Sequence, residues 1–311
     1  MNARVRSGVR PHAVMNNRLL VLLSLTLPVV VIWGLNFAVI RVGVTNVGPF
    51  MLGAMRFAVA SLPFLFFVPR PKVPFAFLLC YGTLFGFAQF AFLFVGMKIG
   101  LPTGIASLLL QLQAVFTPAL AFLLLREPFS RYTAAAMAMS LAGLAAILSS
   151  AGHIEGGAVP VLFGVGAAAC WAMSNVTVRF GVRKGYEYRP ISLVVWASLL
   201  PVAPFLVLAW ATGEVSPALW DGIGSGILSA IYLGVLGTVV GYMLWVRALS
   251  AFDAATVAPF SLMIPVIGLA AGYLIFDERL TPAEVTGSLL IVAGVFIHVV
   301  GTARRAPPPL P

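Results

Sequence analysis

Two stretches of this chain carry the same side chains at the same spacing. Residues 33–43 read WGLNFAVIRVG and residues 171–181 read WAMSNVTVRFG. Each offers an indole, then amide or hydroxyl groups, then an arginine eight residues after the tryptophan. Asn36 lies about one helical turn from Trp33, and Ser174 and Asn175 lie about one turn from Trp171, so each set shares a helix face. A ring surface beside hydrogen-bonding groups is recognition chemistry: stacking on an apolar body, polar contacts to its head. Further polar groups interrupt apolar runs at Arg56, Tyr81, Gln89, Gln111, Gln113, Tyr232, Tyr242 and Trp245. An unsatisfied amide in hydrocarbon costs several kcal/mol, so each such group must face a partner helix or a wet cavity. Tyr81, Phe85 and Gln89 stack at four-residue intervals. Gln111 and Gln113 are two apart and point differently, so at most one is expected to face a pathway. For Tyr242 and Trp245, near the end of a run, an interfacial aromatic belt is the favoured explanation, although Tyr242 is kept among the candidates. The candidate substrate-binding set is thus Trp33, Asn36, Arg56, Tyr81, Gln89, Gln111, Gln113, Trp171, Ser174, Asn175, Tyr232 and Tyr242.

Catalytic chemistry is not visible. The three histidines, His12, His153 and His298, lie near neither one another nor a candidate aspartate, and no metal-ligand spacing or phosphate-binding glycine loop appears. No catalytic residue, metal or cofactor is therefore expected. No Asp or Glu lies deep in an apolar run. Proton-coupled exporters of cationic drugs commonly use such a carboxylate, so the pattern favours passive or weakly coupled movement of a neutral or zwitterionic solute. Arg56 is the deep charge. It suits a substrate carboxylate, and equally suits snorkelling or backbone carbonyls.

These groups must be positioned by membrane helices. The chain has 311 residues, 61% hydrophobic and 9% charged, with a mean hydropathy of +1.04. A soluble domain carries roughly 25% charged residues. With about 20 apolar residues needed per crossing, ten spans are expected, at about 19–40, 49–68, 73–96, 102–125, 132–150, 158–178, 191–211, 224–246, 254–276 and 283–301. Short alternating segments are absent, which excludes a β-barrel. The run from Leu19 is too long for a cleaved signal and reads as a retained first helix. Cys80 and Cys170 read as small apolar fillers.

The net charge of +10 would suggest nucleic acid in a soluble protein, but its distribution argues otherwise. With both termini cytoplasmic, that side holds Arg4, Arg6, Arg10, Arg18, Arg70, Lys72, Arg126, Arg131, Arg179, Arg183, Lys184, Arg189, Arg247, Arg304 and Arg305. The opposite side holds Arg41, Lys98 and Arg279. This is the positive-inside asymmetry of a cytoplasmic (inner) membrane protein. It leaves no excess to argue for a nucleic-acid partner.

The chain also repeats itself. Residues 126–149 match 277–300 in one register, pairing Glu127 with Glu278, Ser130 with Thr281 and Ala142-Gly143 with Ala293-Gly294; Tyr81 and Gly86 pair with Tyr232 and Gly237 in that register. Each half then holds five helices. Five crossings return the second half upside down, the inverted-repeat plan of many transporters, with a site near mid-membrane between the halves. The expected organisation is an N-terminal cytoplasmic segment (1–18), a first repeat (19–150), a linker (151–157), a second repeat (158–301) and a cytoplasmic tail (302–311).

Ten spans, two five-helix halves and the motifs Glu127-Pro-Phe-Ser130 and Glu278-Arg-Leu-Thr281, with Arg56 in the second helix, resemble the drug/metabolite transporter superfamily with two EamA domains. Within it, the chain looks most like bacterial amino-acid and metabolite exporters, including the YddG type that exports aromatic amino acids. The resemblance implies an all-α polytopic membrane protein, outward movement of small amphipathic metabolites by alternating access, and a monomer or homodimer. Multidrug efflux by proton antiport is the alternative within transport; an intramembrane enzyme or scaffold lies outside it. Such domains often place proline thirteen residues before the glutamate. Pro265 does so, but Ala114 occupies the matching position in the first half, with Pro118 nearby.

The remaining motifs read as structure. Thr281-Pro-Ala-Glu284 has the pattern of a capped helix start, and Ser130 can cap the fifth helix in the same way. Glu127 and Glu278 suit neighbouring helix N-termini or arginines, with gating or proton transfer as the other reading. Ala134, Ala138, Ala142 and Ala146, and the pairs Gly82/Gly86, Gly237/Gly241 and Gly268/Gly272, read as packing faces. The alanine face also offers a surface for a dimer. Pro118, Pro259 and Pro265 are the expected hinges, bending the fourth and ninth helices to open opposite ends of one cavity.

Overall fold

A computed structural model of the chain describes residues 11–127, 131–149, 154–251, 260–261 and 263–303. Ten helical segments cross between two faces among these residues. They are α1 (Pro11–Val47), α2 (Pro49–Phe64), α3 (Phe75–Lys98), α4 (Thr103–Leu125), α5 (Arg131–Ser149), α6 (Ala158–Arg183), α7 (Pro190–Ala211), α8 (Leu219–Ile231 continuing through Gly241–Ala251), α9 (Met263–Phe276) and α10 (Pro282–Ala303). Seven are long and apolar enough to span a bilayer. The helices overrun the apolar runs that define them, so Arg41 and Arg179 lie inside α1 and α6.

The two halves repeat in backbone detail. Arg126 and Asp277, one repeat apart, both adopt left-handed φ values of 54° and 53° at the ends of α4 and α9. That conformation reverses the chain after a helix. In each case the next residue's N–H folds back: Glu127 to the Ala121 carbonyl at 3.3 Å, Glu278 to the Gly272 carbonyl at 3.1 Å. A π-helical turn widens α3 over Thr83–Ala88, and another widens α8 over Tyr232–Val240. π-turns leave carbonyls free for other donors and recur at functional sites.

α5 and α10 pair with each other on the same symmetry. A Cβ at Gly143 would lie 2.5 Å from the Gly287 carbonyl oxygen; one at Gly294, the repeat mate of Gly143, would lie 2.8 Å from the carbonyl oxygen of Ala136, the mate of Gly287. Backbones meet there because nothing larger than hydrogen intervenes. The alanine stripe of α5 does not make this contact. Ala134, Ala138 and Ala142 are exposed, while Thr133, Ala136, Ser140, Gly143 and Ile147 are buried. Periodicity found a stripe of small residues, but the neighbouring stripe carries the glycine that permits the crossing. The three glycine pairs do lie at interfaces: Gly82/Gly86 against α7, Gly237/Gly241 against Asn36 and Trp33 of α1, and Gly268/Gly272 against Ser107 of α4 and Glu278.

One position breaks the symmetry. Aligning Pro49 with Pro190 and Pro63 with Pro204 sets Arg56 of α2 opposite Ala197 of α7. Only the first half contributes this buried cation.

Candidate functional site

Two cavities meet on the axis between the halves, and Tyr242 lines both. The larger, about 800 Å³, opens at the face carrying Glu127 and Arg179. Tyr81, Gln113, Ser174, Asn175 and Pro118 line it, with Thr117, Tyr188 and Trp245. Deeper lies a cavity of about 70 Å³ walled by Trp33, Asn36, Arg56, Gln89, Gln111 and Trp171, and by the π-turn of α8 at Gly237.

In the deep cavity, Trp33 Nε1 donates to the Gly237 carbonyl at 2.9 Å. This bond uses a carbonyl of the α8 π-turn, and α1 and α8 approach closely there because Gly237 lacks a side chain. The indole packs on Tyr242 and on Trp245, each with ring centroids 5.6 Å apart. Tyr242 and Trp245 therefore belong to an aromatic wall inside the molecule, not to an interfacial belt; their position near a helix end hid this because α8 tilts them over the cavity mouth. Gln111 is tied down, its Nε2 donating to the Ser261 carbonyl at 2.8 Å.

Arg56 is only 5% exposed. Its Nη2 donates to Thr238 Oγ1 at 3.3 Å, and its guanidinium lies over the Phe90 ring at 4.0 Å. Thr238 is held by the π-turn, its hydroxyl donating to the Leu233 carbonyl five residues back at 2.9 Å. Nε and Nη1 of Arg56 are buried without a partner, as are Asn36 Oδ1 and Gln89 Oε1. Among the described residues, no carboxylate stands in the lining of this cavity. Thr238 and Phe90 escaped the reading of the sequence. Thr238 had a signal, being a hydroxyl within an apolar run; a phenylalanine among 23 has none.

In the larger cavity the polar groups hold one another. Asn175 Nδ2 donates to Gln113 Oε1 at 2.9 Å and to Thr117 Oγ1 at 3.3 Å, joining α6 to α4. Ser174 bonds its own helix at the Trp171 carbonyl, 2.8 Å. Tyr81 stacks on Phe85 at 5.1 Å. Gln111 and Gln113 both face cavity space, one in each chamber, because a short 3₁₀ turn at Leu110–Leu112 rotates one relative to the other. Tyr232 lines neither chamber: its hydroxyl donates to the Ile32 carbonyl at 2.9 Å and ties α8 to α1.

The two ends differ. At the far face, Glu278 accepts from the N–H groups of Thr103 and Gly104 at 2.8 and 3.1 Å and pairs with Arg41. A carboxylate there neutralises the positive N-terminus of α4. Beneath it, Gly268 is pressed on the Ser107 side chain and Gly104 on Leu269, so α4 and α9 pack tightly at this end. At the open face, the mate Glu127 pairs with Arg179 at 2.8 Å. Thr281 and Glu284 form a reciprocal cap at the start of α10: Thr281 N–H to Glu284 Oε2 at 2.8 Å, Glu284 N–H to Thr281 Oγ1 at 3.3 Å. Of the expected hinges, Pro118 lies within α4 and Pro265 near the start of the described part of α9. Pro259 and Ser130 lie outside the described residues, as do side-chain details of His298.

Ten helices in two inverted repeats, closed at one end and hollow at the other, define a membrane transporter. The sequence model of the EamA-like transporter family matches residues 20–149 and 158–300, and the chain belongs to that family. A probable amino-acid metabolite efflux pump of Salmonella typhimurium is 38% identical over 90% of this chain and 95% of its own length. The Escherichia coli protein of the same description shows the same identity and coverage. A probable terminal-alkyne amino-acid exporter of Streptantibioticus cattleyicolor is 25% identical over 90% of this chain and 95% of its own. A solved crystal structure superposes with a TM-score of 0.54 at 18% identity, covering 92% of this chain and 99% of the other, a likeness of fold. The protein is a multi-pass membrane transporter, not an enzyme.

Proposed function

We propose that the protein exports amino acids with aromatic or apolar side chains across the cytoplasmic membrane by alternating access, with both termini in the cytoplasm. The observation that carries this reading is the deep cavity, where one buried arginine stands among Trp33, Trp171 and Tyr242. A guanidinium recognises carboxylates, and the rings suit an apolar body. The names of the relatives in Salmonella typhimurium and Escherichia coli support the same class. Positive charge supports the orientation, because Arg179, Arg183, Lys184 and Arg189 cluster at the open end. Substrate enters there, and release at the far face requires Glu278 to leave Thr103 and Gly104.

Counterflow of labelled Phe into proteoliposomes tests the proposal. Accumulation that unlabelled apolar amino acids compete away is expected; no flux with any amino acid refutes it. Proton antiport is the second reading, favoured by Glu127 in the lining of the larger cavity. Flux that needs an imposed pH gradient and disappears in Glu127→Gln would select it.

A further inference from the structure

We infer that the deep cavity is a receptor for the ammonium-carboxylate head of a zwitterion, and that the substrate's side chain projects into the larger cavity. This rests on the amino-acid reading and assigns the parts of the substrate to separate chambers. Buried polar atoms in folded proteins are nearly always paired, and those that are not call for an explanation. Here the three residues that carry four such atoms all stand in the wall of one cavity, where a small side-chain rotation brings them to it. Arg56 Nε and Nη1 are donors without acceptors; Asn36 Oδ1 and Gln89 Oε1 are acceptors without donors. Arg56 and Gln89 are 5% and 3% exposed, so bulk water does not satisfy them. An amino-acid head supplies the complement of this set. Its carboxylate accepts a charge-assisted bond from the guanidinium, and its ammonium donates to amide oxygens.

Volume divides the substrate. The deep cavity, about 70 Å³, is smaller than its neighbour by more than tenfold, and the compact ammonium-carboxylate head is assigned to it. The adjoining 800 Å³ chamber holds any natural side chain with room to spare. Tyr242 stands at the junction, in both linings. The head group is therefore read strictly and the side chain loosely.

The test is inhibition of labelled Phe counterflow in proteoliposomes of the full chain. Phe is compared with Phe amide, N-acetyl-Phe, 3-phenylpropionate and phenethylamine, and with Ala, Leu and Trp. Each altered head is expected to bind at least tenfold more weakly than Phe, whereas Ala, Leu and Trp stay within about tenfold of it. Each lost charge-assisted bond is worth roughly a tenfold change or more. In Gln89→Leu, the preference for Phe over 3-phenylpropionate is expected to collapse while 3-phenylpropionate itself is little affected, a pattern a misfolded variant cannot produce. Strong inhibition by phenethylamine or N-acetyl-Phe, equal to that by Phe, overturns the assignment and leaves the amino-acid reading standing. Absence of any amino-acid flux in the wild type removes that reading first.

Discussion

Replacing Arg56 by Met separates a binding site from a structural strut. Met follows the path of the arginine stem without its charge. The variant loses one hydrogen bond to Thr238, at 3.3 Å, worth about 1 kcal/mol. It also loses the contact over Phe90 at 4.0 Å, worth about 2 kcal/mol when desolvated. Against this, two orphaned donors disappear, each costing about 1–3 kcal/mol, together with the penalty of burying an uncompensated charge, several kcal/mol. Taken at the low end of each range, the balance still favours the variant by about 2 kcal/mol. Arg56→Met is therefore expected to melt a few degrees higher than wild type in a fixed-rate thermal scan in detergent. Its Phe transport should fall at least tenfold, because a guanidinium-carboxylate contact contributes about 1.5–3 kcal/mol. Stability and activity move in opposite directions. A variant that melts lower, or one that transports normally, refutes the reasoning: the first makes Arg56 a strut, the second makes it a bystander.

Three further outcomes follow from other parts of the molecule. Glu278→Gln removes the charge that holds Thr103, Gly104 and Arg41, so the closed end should open more often; in a cysteine-free background, Leu110→Cys on the deep cavity wall should then react several-fold faster with an impermeant maleimide added from that side, and an unchanged rate counts against a latch. Gly143→Ala places a methyl 2.5 Å from the Gly287 carbonyl oxygen and should cost about 1–3 kcal/mol, whereas Ala134→Leu on the exposed stripe should stay within about 0.5 kcal/mol, both read by thermal melting. Glu214, in the loop before α8, accepts the Phe50 and Met51 N–H groups at 3.3 and 2.7 Å, yet burial pushes its carboxyl above the ordinary 4.5. A raised carboxyl favours folding below its unfolded value and loses that contribution as pH rises through its folded value, so the melting temperature of wild type relative to Glu214→Gln should fall from pH 4 towards neutrality; a flat difference contradicts the burial argument.

Much of the architecture could be read without coordinates. Apolar run length gave the ten helices, and the Glu127/Glu278 register gave the two halves, because both depend on local composition. The aromatic and amide residues of α1 and α6 announced themselves for the same reason: polar groups in oil must face something. What was hidden depended on rotation and on other helices. The π-turns in α3 and α8 have no compositional mark, yet the one in α8 aims Gly237 and Thr238 at Trp33 and Arg56. The partner of Tyr232 is a backbone carbonyl of α1, and a backbone group leaves no trace in side-chain spacing. The alanine stripe misled because any regular run of small residues looks like a contact, and only the facing glycine decides which stripe makes it.

The pairing of Arg56 with Ala197 across the repeats has one more consequence. A chamber with perfect twofold symmetry would accept a passenger in either of two poses, related by half a revolution. A single cation, two turns into α2 from the sealed end, removes that ambiguity. On the proposed assignment of head and side chain, the charged end of the cargo sits nearest the exit and the greasy end nearest the entrance. Such a cargo would depart charge first when the seal parts, without tumbling, so a long or bulky tail would add no swing radius to the crossing.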